Sequence, residues 1–348
     1  MSIMKINNIT ISNKNPFIVA EISGNHAGKY SLLKKTILAA IKSGADAVKL
    51  QSYSPDDLTL NSYKKDFLVK GAKNKWNKKY LYNLYEQGQT PLNWLKKIFK
   101  YCRNKRIICF ASPFSISSVK ELEKLNCPIY KVASLEITNI PLLKEISKTN
   151  KPVIISTGGA TLKEITDALK YFKKNKNIAL LKCTVNYPAD LNELNLNTLI
   201  DLKSKFKNIE IGYSDHTVGD IAAVSAVSLG ASIIEKHFTY SKKINSIDNF
   251  FSSDPKELRI LIKNCQQAAK TTGKIFYGPS ITEKNSIKYR RSIYVSKGIK
   301  KFEKITKNNI KLVRPGFSLE PKYYYKILGK FAKKKFNIGD RISLKNLK

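Results

Sequence analysis

The chain has 348 residues, 42% of them hydrophobic and 10% aromatic, and its 63 basic against 26 acidic side chains give a formal charge of +37. That apolar share excludes a wholly disordered chain, and no apolar run approaches the roughly 18 residues of a membrane-spanning helix. Five scattered cysteines (Cys102, Cys109, Cys127, Cys183, Cys265) without a CxxC pair argue against a disulfide framework or a zinc knuckle and read as buried thiols.

Short β-branched runs alternate with amphipathic stretches over the first three quarters, the pattern of βαβ units. The runs predict strands at residues 17–22, 47–51, 107–111, 129–132, 153–156, 178–182, 210–213 and 233–237. The stretches between them predict helices at 31–43, 91–104, 115–125, 140–149, 161–173, 198–206, 221–229 and 254–271. Eight strand-helix units in roughly 250 residues match the α/β architecture of a (β/α)8 TIM barrel. Residues 54–90, rich in Tyr, Lys and Asn, read as an insertion after the second strand, over the end of the barrel where ligands bind. The expected division is a barrel over 1–272, a linker over 273–286 and a small domain over 287–348, with short strands at 292–295, 300–305, 312–316 and 338–344.

Only seven of the basic residues are Arg and 56 are Lys, in company with abundant Asn and Ile. The lysine pairs are spread along the whole chain with no RNA- or DNA-binding signature between them. The expectation is a positive field that attracts anions generally, without a specific nucleic-acid partner. Residues 1–11 lack an apolar signal segment, so a soluble cytoplasmic protein is expected.

In such a barrel the chemistry sits where strands end and loops begin, and the unusual polar residues fall there. Glu21 ends the first strand; Lys49 and Gln51, two apart and on one face, end the second. Lys131 closes the fourth, followed by Ser134 and Glu136. Lys182 and Thr184 repeat the two-residue spacing at the sixth, with Tyr187 beyond. An inward Lys in an apolar run needs a buried anion, so Lys49, Lys131 and Lys182 together suggest a ligand carrying phosphate and carboxylate, although a strand-end Lys is also a common rim charge. The Ser156-Thr157-Gly158-Gly159 run after the fifth strand reads either as a glycine turn or as a phosphate cradle at the fifth helix. Ser214 precedes His216 at the seventh strand end and His237 ends the eighth, so the two rings can meet at one divalent metal with positions left open for water and substrate. His26, in the first loop, reads as a structural residue and not as a ligand.

These residues lie in runs that resemble the sialic acid synthase family. The runs are Ala20-Glu21-Ile22-Ser23-Gly24-Asn25-His26, Asp46-Ala47-Val48-Lys49-Leu50-Gln51, Tyr130-Lys131-Val132-Ala133-Ser134-Leu135-Glu136, Ile155-Ser156-Thr157-Gly158, Ser214-Asp215-His216-Thr217 and Ile234-Glu235-Lys236-His237-Phe238-Thr239. They stand in register from about Phe17 onward. The resemblance implies condensation of phosphoenolpyruvate with an acylated amino sugar, assisted by manganese or magnesium, and a C-terminal antifreeze-like (SAF) domain that docks on the partner barrel of a homodimer. After the last strand the chain has Ser246-Ile247-Asp248-Asn249-Phe250-Phe251-Ser252, where relatives making N-acetylneuraminic or legionaminic acid usually carry Pro-Gly-Pro-Asp-His. This loop resembles the branch whose sugar is 2,4-diacetamido-2,4,6-trideoxy-altropyranose, and its Phe pair predicts an apolar wall against the sugar's methyl group. The resemblance implies that Lys49, Gln51, Lys131, Ser134, Ser156, Thr157, Lys182, Thr184 and Ser214 serve substrate binding, chiefly of phosphate and carboxylate. It assigns sugar contacts to Glu21, Tyr187, Asp248 and Arg314, and proton handling to Glu136 or a metal-bound water. For Arg314 the alternative is a plain surface turn. Within the family the alternative is an N-acetylneuraminate or legionaminate synthase using N-acetylmannosamine or a diacetamido sugar; outside it, two other readings are a lysine-rich polyanion binder and a phosphoenolpyruvate aldolase acting on a short aldose phosphate.

Overall fold

The computed structural model describes residues 4–72 and 74–348. Runs rich in Ile, Val and Leu, buried along most of their length, form eight parallel strands that close on themselves. They are β1 (Phe17–Glu21), β2 (Ala47–Ser52), β3 (Ile108–Pro113), β4 (Tyr130–Val132), β5 (Val153–Ser156), β6 (Ile178–Cys183), β7 (Glu210–Asp215) and β8 (Ile233–His237). Neighbours in sequence are neighbours in the barrel, and β8 completes the ring against β1 with His237 opposite Glu21.

The outer layer is α1 (Tyr30–Ser43), α2 (Leu92–Asn104), α3 (Ile116–Lys124), α4 (Ile140–Lys148), α5 (Leu162–Leu169), α6 (Thr198–Lys205), α7 (Ile221–Ser228) and α8 (Pro255–Thr272). Local chemistry sets their ends. Gly44 takes the left-handed conformation that stops α1, and reciprocal capping boxes start α5 at Thr161 with Glu164 and α8 at Asp254 with Glu257. The fifth helix is shorter than the 161–173 pattern, because residues Lys170–Phe172 tighten into a 3-10 turn. An N-terminal hairpin, Lys5–Ile6 against Ile9–Thr10, lies outside the predicted elements and adds Met4, Ile6 and Ile11 to the barrel's apolar core.

Between β2 and α2 the chain forms a short helix (Pro55–Leu58), a 3-10 turn (Lys65–Phe67) and a helix (Leu81–Gly88). The chain divides into two units, Met1–Gly273 and Lys274–Lys348. The second has its own core around Ile293, Ile299, Ile327 and Phe336. Its paired strands are Ser292–Val295 and Ile310–Val313, so the strand expected at 312–316 begins earlier and stops before Arg314. The runs at 300–305 and 338–344 make only isolated bridges, Lys304 to Phe331 and Tyr294 to Arg341, since turns interrupt them before a ladder can extend. Among the described residues, no helix is long and apolar enough to cross a membrane.

Candidate active site

Side chains two apart on a strand share a face, and at the C-terminal strand ends this alternation turns polar groups inward. Lys49 and Gln51, Lys131, Ser156, Cys183, Ser214 and His216, and Glu235 and His237 line one cavity of about 300 Å³. The loops add Ser134, Glu136, Tyr187 and Asp248, and the segment between β2 and α2 adds Leu58, Val69, Trp76, Leu84 and Tyr85. The cavity thus has a charged floor and a largely apolar upper wall.

Two lysines in the floor differ in their partners. Lys49 Nζ lies 2.5 Å from Glu21 Oε2 and 3.4 Å from Glu235 Oε1, and donates to Ser112 Oγ at 3.4 Å. Burial pulls the Lys49 ammonium down, but Glu21 and Glu235 outweigh it and hold it above its ordinary value. Glu21, wholly buried, is pushed up to about 7 by desolvation, against the pull of Lys49. Lys131 instead donates to Ser156 Oγ at 2.7 Å and to the Val132 carbonyl at 3.1 Å. Burial brings it down to about 8, with Glu235 opposing that shift. Glu235 stays below its usual range because Lys131 and Lys49 overcome the cost of its burial, and it accepts from Ser214 Oγ at 3.2 Å.

One wall is a pair of imidazoles. The His216 and His237 ring centres are 5.3 Å apart, and Tyr187 stacks on His216 at 4.1 Å. His216 Nδ1 lies 2.7 Å from the Thr184 carbonyl, which can only accept, so Nδ1 carries a proton; burial pulls this imidazole down, but Cys183 and the Thr184 carbonyl outweigh it and hold it above its ordinary value. His237 Nδ1 is buried without a partner, and burial with the surrounding cations holds that ring neutral. With His237 Nδ1 unpartnered and His216 Nε2 only 4.0 Å from Cys183 Sγ, the two adjacent rings, once deprotonated at those nitrogens, fit a divalent cation. Among the described residues no third His, Cys, Asp or Glu completes a cluster with them, so further positions would fall to water and substrate. Cys183 Sγ is 3.7 Å from His216 Nδ1, and this neighbour brings the thiol down to about 7 despite its burial.

The loop after β8 is tied down from both sides. Asn25 donates to the Phe238 carbonyl at 3.0 Å and to Ser252 Oγ at 2.8 Å, and accepts from Ser246 Oγ at 2.6 Å. Trp76 Nε1 donates to the Ile247 carbonyl at 3.0 Å, and Lys75 Nζ reaches the Ser246 carbonyl. Ile247 and Asp248 therefore face the cavity, with Asp248 accepting from the Gly24 N–H at 3.3 Å.

Several expected site residues lie elsewhere. Lys182 is one step out of phase with Cys183, so it points away from the cavity and donates to the Cys183 carbonyl at 2.9 Å. Glu21 sits beneath the floor and meets the cavity only through Lys49. Thr157 Oγ1 donates to the Leu181 carbonyl at 3.2 Å, and Thr184 contributes its carbonyl while its hydroxyl is buried without a partner. Arg314 belongs to the second unit. The phosphate-cradle reading of 156–159 also changes: Thr157 N–H goes to Leu181, Gly158 N–H goes to Ser134 Oγ at 3.1 Å, and Thr161 and Glu164 cap the helix, leaving the Ser156 hydroxyl as the loop's polar offering. A Cβ at Gly158 would stand 2.7 Å from Val185 and 2.8 Å from Ser134 Oγ, so close packing requires glycine there. Phe250 and Phe251 do not line the cavity; Phe251 packs behind His237 at 4.7 Å and Phe250 against Trp76 at 5.8 Å, and Ile247 supplies the apolar wall.

Pattern reading placed Glu235 at the end of the eighth strand without giving it a role, and it missed Cys183, Ser112, Tyr53 and Trp76 as lining residues. Period-two alternation from His237, Ser214 and Gln51 points to Glu235 and, through the register of β6 with β7 and β3 with β2, to Cys183 and Ser112. Nothing in the local sequence marks Tyr53 or Trp76. His26 proves structural: Gly28 N–H donates to its Nδ1 at 3.2 Å and Thr90 Oγ1 lies 3.3 Å from its Nε2.

A parallel eight-stranded barrel with buried cations and paired imidazoles at its strand ends defines a barrel enzyme built for an anionic substrate. The chain belongs to the NeuB family, whose profile matches residues 36–277, and residues 290–348 match the SAF domain. It is 44% identical over 343 residues to a pseudaminic acid synthase of Campylobacter jejuni, covering 97% of this chain and 98% of that one. With a pseudaminic acid synthase of Helicobacter pylori the identity is 40%, over 92% of this chain and 94% of that one. The crystal structure of an N-acetylneuraminic acid synthetase from Leptospira borgpetersenii serovar Hardjo-bovis, in complex with citrate, aligns with a TM-score of 0.73 at 32% identity, over 82% of this chain and 95% of that chain.

Proposed function

We propose that this chain condenses phosphoenolpyruvate with 2,4-diacetamido-2,4,6-trideoxy-altropyranose and water, giving pseudaminic acid and inorganic phosphate. The observation that carries the reading is the cavity itself, in which Lys131, Ser134, Ser156 and Ser214 face the histidine pair across a space of about 300 Å³, in a chain similar along its length to pseudaminic acid synthases.

Lys131, with the hydroxyls of Ser134, Ser156 and Ser214, holds the phosphate and carboxylate of phosphoenolpyruvate, while Lys49, already paired with Glu21 and Glu235, lines the same cavity and contributes to its field. Gln51, Tyr187 and Asp248 orient the open-chain sugar so that its aldehyde carbon meets C3 of phosphoenolpyruvate. His216 through Nε2 and His237 through Nδ1 would hold a divalent cation, manganese or magnesium, which when bound supplies Lewis-acid polarisation of the aldehyde oxygen. The new bond joins C3 of phosphoenolpyruvate to C1 of the sugar as the aldehyde π pair moves onto its oxygen, which takes up a proton from solvent to become a hydroxyl, and positive charge is left at the former C2. Water adds there, with Glu136 positioned to take its proton, and the tetrahedral adduct expels phosphate by C–O cleavage to leave the 2-keto acid. Glu136 is held toward the cavity by Asn139, which donates to its Oε2 at 2.8 Å. Arg314 contacts the sugar from the partner's chain in a homodimer.

The test is phosphate release from phosphoenolpyruvate with a panel of amino sugars. The 6-deoxy diacetamido sugar is expected to give the highest kcat/KM; a higher value for N-acetylmannosamine would replace this reading with a sialate one.

A further inference from the structure

The two histidines stand beside a buried ion pair that the proposed reaction does not use. Lys236 Nζ lies 2.8 Å from Asp215 Oδ2, with side chains 1% and 0% exposed. The same ammonium donates to the Thr217 carbonyl at 2.5 Å, and Thr217 N–H donates to Asp215 Oδ1 at 2.9 Å. Lys236 therefore grips the residues immediately before and after His216, while lying one residue before His237. Asp215 and Lys236 are opposite each other in the β7–β8 register. Since alternate residues face opposite ways, these two point outward where Ser214, His216, Glu235 and His237 point in.

Burying a Lys and an Asp costs solvation that their attraction repays incompletely, and an apolar pair of similar volume is often as stable or more so. Stability alone is thus a weak reason for this pair. Its bonds tie the backbone on both sides of His216 to β8 one residue before His237, and the spacing of two rings is one determinant of how well they share a cation.

We propose that Lys236 and Asp215 are positioning residues: from outside the barrel they set the separation of the His216 and His237 imidazoles and so the affinity of that pair for a divalent cation. The inference rests on the proposed cation-holding role of the two histidines.

The experiment is a Mn²⁺ titration of the metal-stripped full chain, read as loss of the free-ion electron paramagnetic resonance signal, with thermal unfolding measured alongside. For the double variant Lys236→Met, Asp215→Leu we expect a lower melting temperature, because the buried Thr217 N–H and carbonyl lose their partners, with unfolding still cooperative and Mn²⁺ affinity lowered about 10- to 100-fold. Asp215→Glu, which keeps the charges and lengthens one arm by a methylene, is expected to lower affinity several-fold and serves where the double variant does not fold. Parental Mn²⁺ affinity in either folded variant overturns the proposal while leaving the histidine assignment standing. Parental Mn²⁺ affinity in His216→Ala overturns the histidine assignment and the proposal with it.

Discussion

Lys131 and Lys49 share a residue type, a strand-end position and nearly complete burial, yet they are different chemical groups. Lys49 is held between two carboxylates, whereas Lys131 spends its hydrogen bonds on a hydroxyl and a carbonyl and keeps its charge for a ligand. Removing Lys131 should therefore act on the anionic substrate first. Lys131→Met is expected to raise the KM for phosphoenolpyruvate about 10- to 100-fold, the scale of a lost charge-assisted contact of roughly 1.5–3 kcal/mol, with a much smaller change for the sugar. Initial rates with each substrate varied in turn check this, and equal losses for both would show general damage. His26 carries a second residue-scale consequence. Burial lowers its pKa from 6.5 to about 4, so the unfolded chain takes up a proton between those values that the fold refuses. Stability contributed by the neutral ring is complete above pH 6.5 and is lost as pH falls toward 4, by on the order of 3 kcal/mol. Urea unfolding at pH 7 and pH 4.5 should show a clearly larger acid loss in the parent than in His26→Gln; equal losses would mean that the ring is already protonated in the fold.

At the scale of elements, the cavity is a joint product of rigid strand ends and two long loops that clasp each other. Trp76 donates to the backbone of the loop after β8 and its ring packs on Tyr187 at 5.2 Å, so the insertion and that loop hold one wall together. Ile247 is the apolar face this wall turns toward the cavity, with Leu84 and Tyr85 beside it. A hydroxyl placed against such a wall without a partner costs about 1–3 kcal/mol, which favours a methyl-bearing sugar over a hydroxylated one. Ile247→Asn should narrow the preference for the 6-deoxy sugar over N-acetylmannosamine about tenfold, as read from the ratio of their kcat/KM values. An unchanged ratio would place the sugar's methyl group elsewhere. Inside the barrel, Gly212 of β7 leaves room for its neighbours: a Cβ there would sit 2.5 Å from both Leu181 Cδ2 and the Ile233 carbonyl. Gly212→Ala is expected to destabilise the barrel by about 1–3 kcal/mol, visible as a lower urea midpoint at unchanged slope.

For the whole molecule, the formal charge of +37 is almost entirely a surface property: among the described residues only Lys49, Lys131 and Lys236 are buried lysines, and each is held by specific partners. The surface field draws anions to the protein, while selectivity belongs to the cavity. The two units carry separate apolar cores, and Arg314 lies in the smaller one. If Arg314 serves a partner's barrel, mixing inactive Arg314→Ala chains with inactive His216→Ala chains under exchange conditions should restore part of the activity, since one barrel of each mixed dimer then has both intact parts. Absence of recovery in proven heterodimers would remove Arg314 from the partner's site.

Sequence by itself determined the barrel, because eight apolar runs separated by amphipathic stretches have few other ways to bury both faces of every strand. It also picked out residues that the fold brings to one cavity, since Lys49, Lys131, His216 and His237 are costly residues in otherwise apolar runs. Tertiary structure decided which of those groups meet. Lys182 looked equivalent to Lys131, but side-chain direction in a strand reverses at each residue, and the register that makes Cys183 inward turns Lys182 out. Glu21 looked like a sugar contact, but only the packing of β1 between β8 and β2 puts it under Lys49. Trp76 and Tyr53 carried no local signal, because their places depend on how a long insertion folds back over strands distant in sequence, and such contacts are set by packing and not by periodicity.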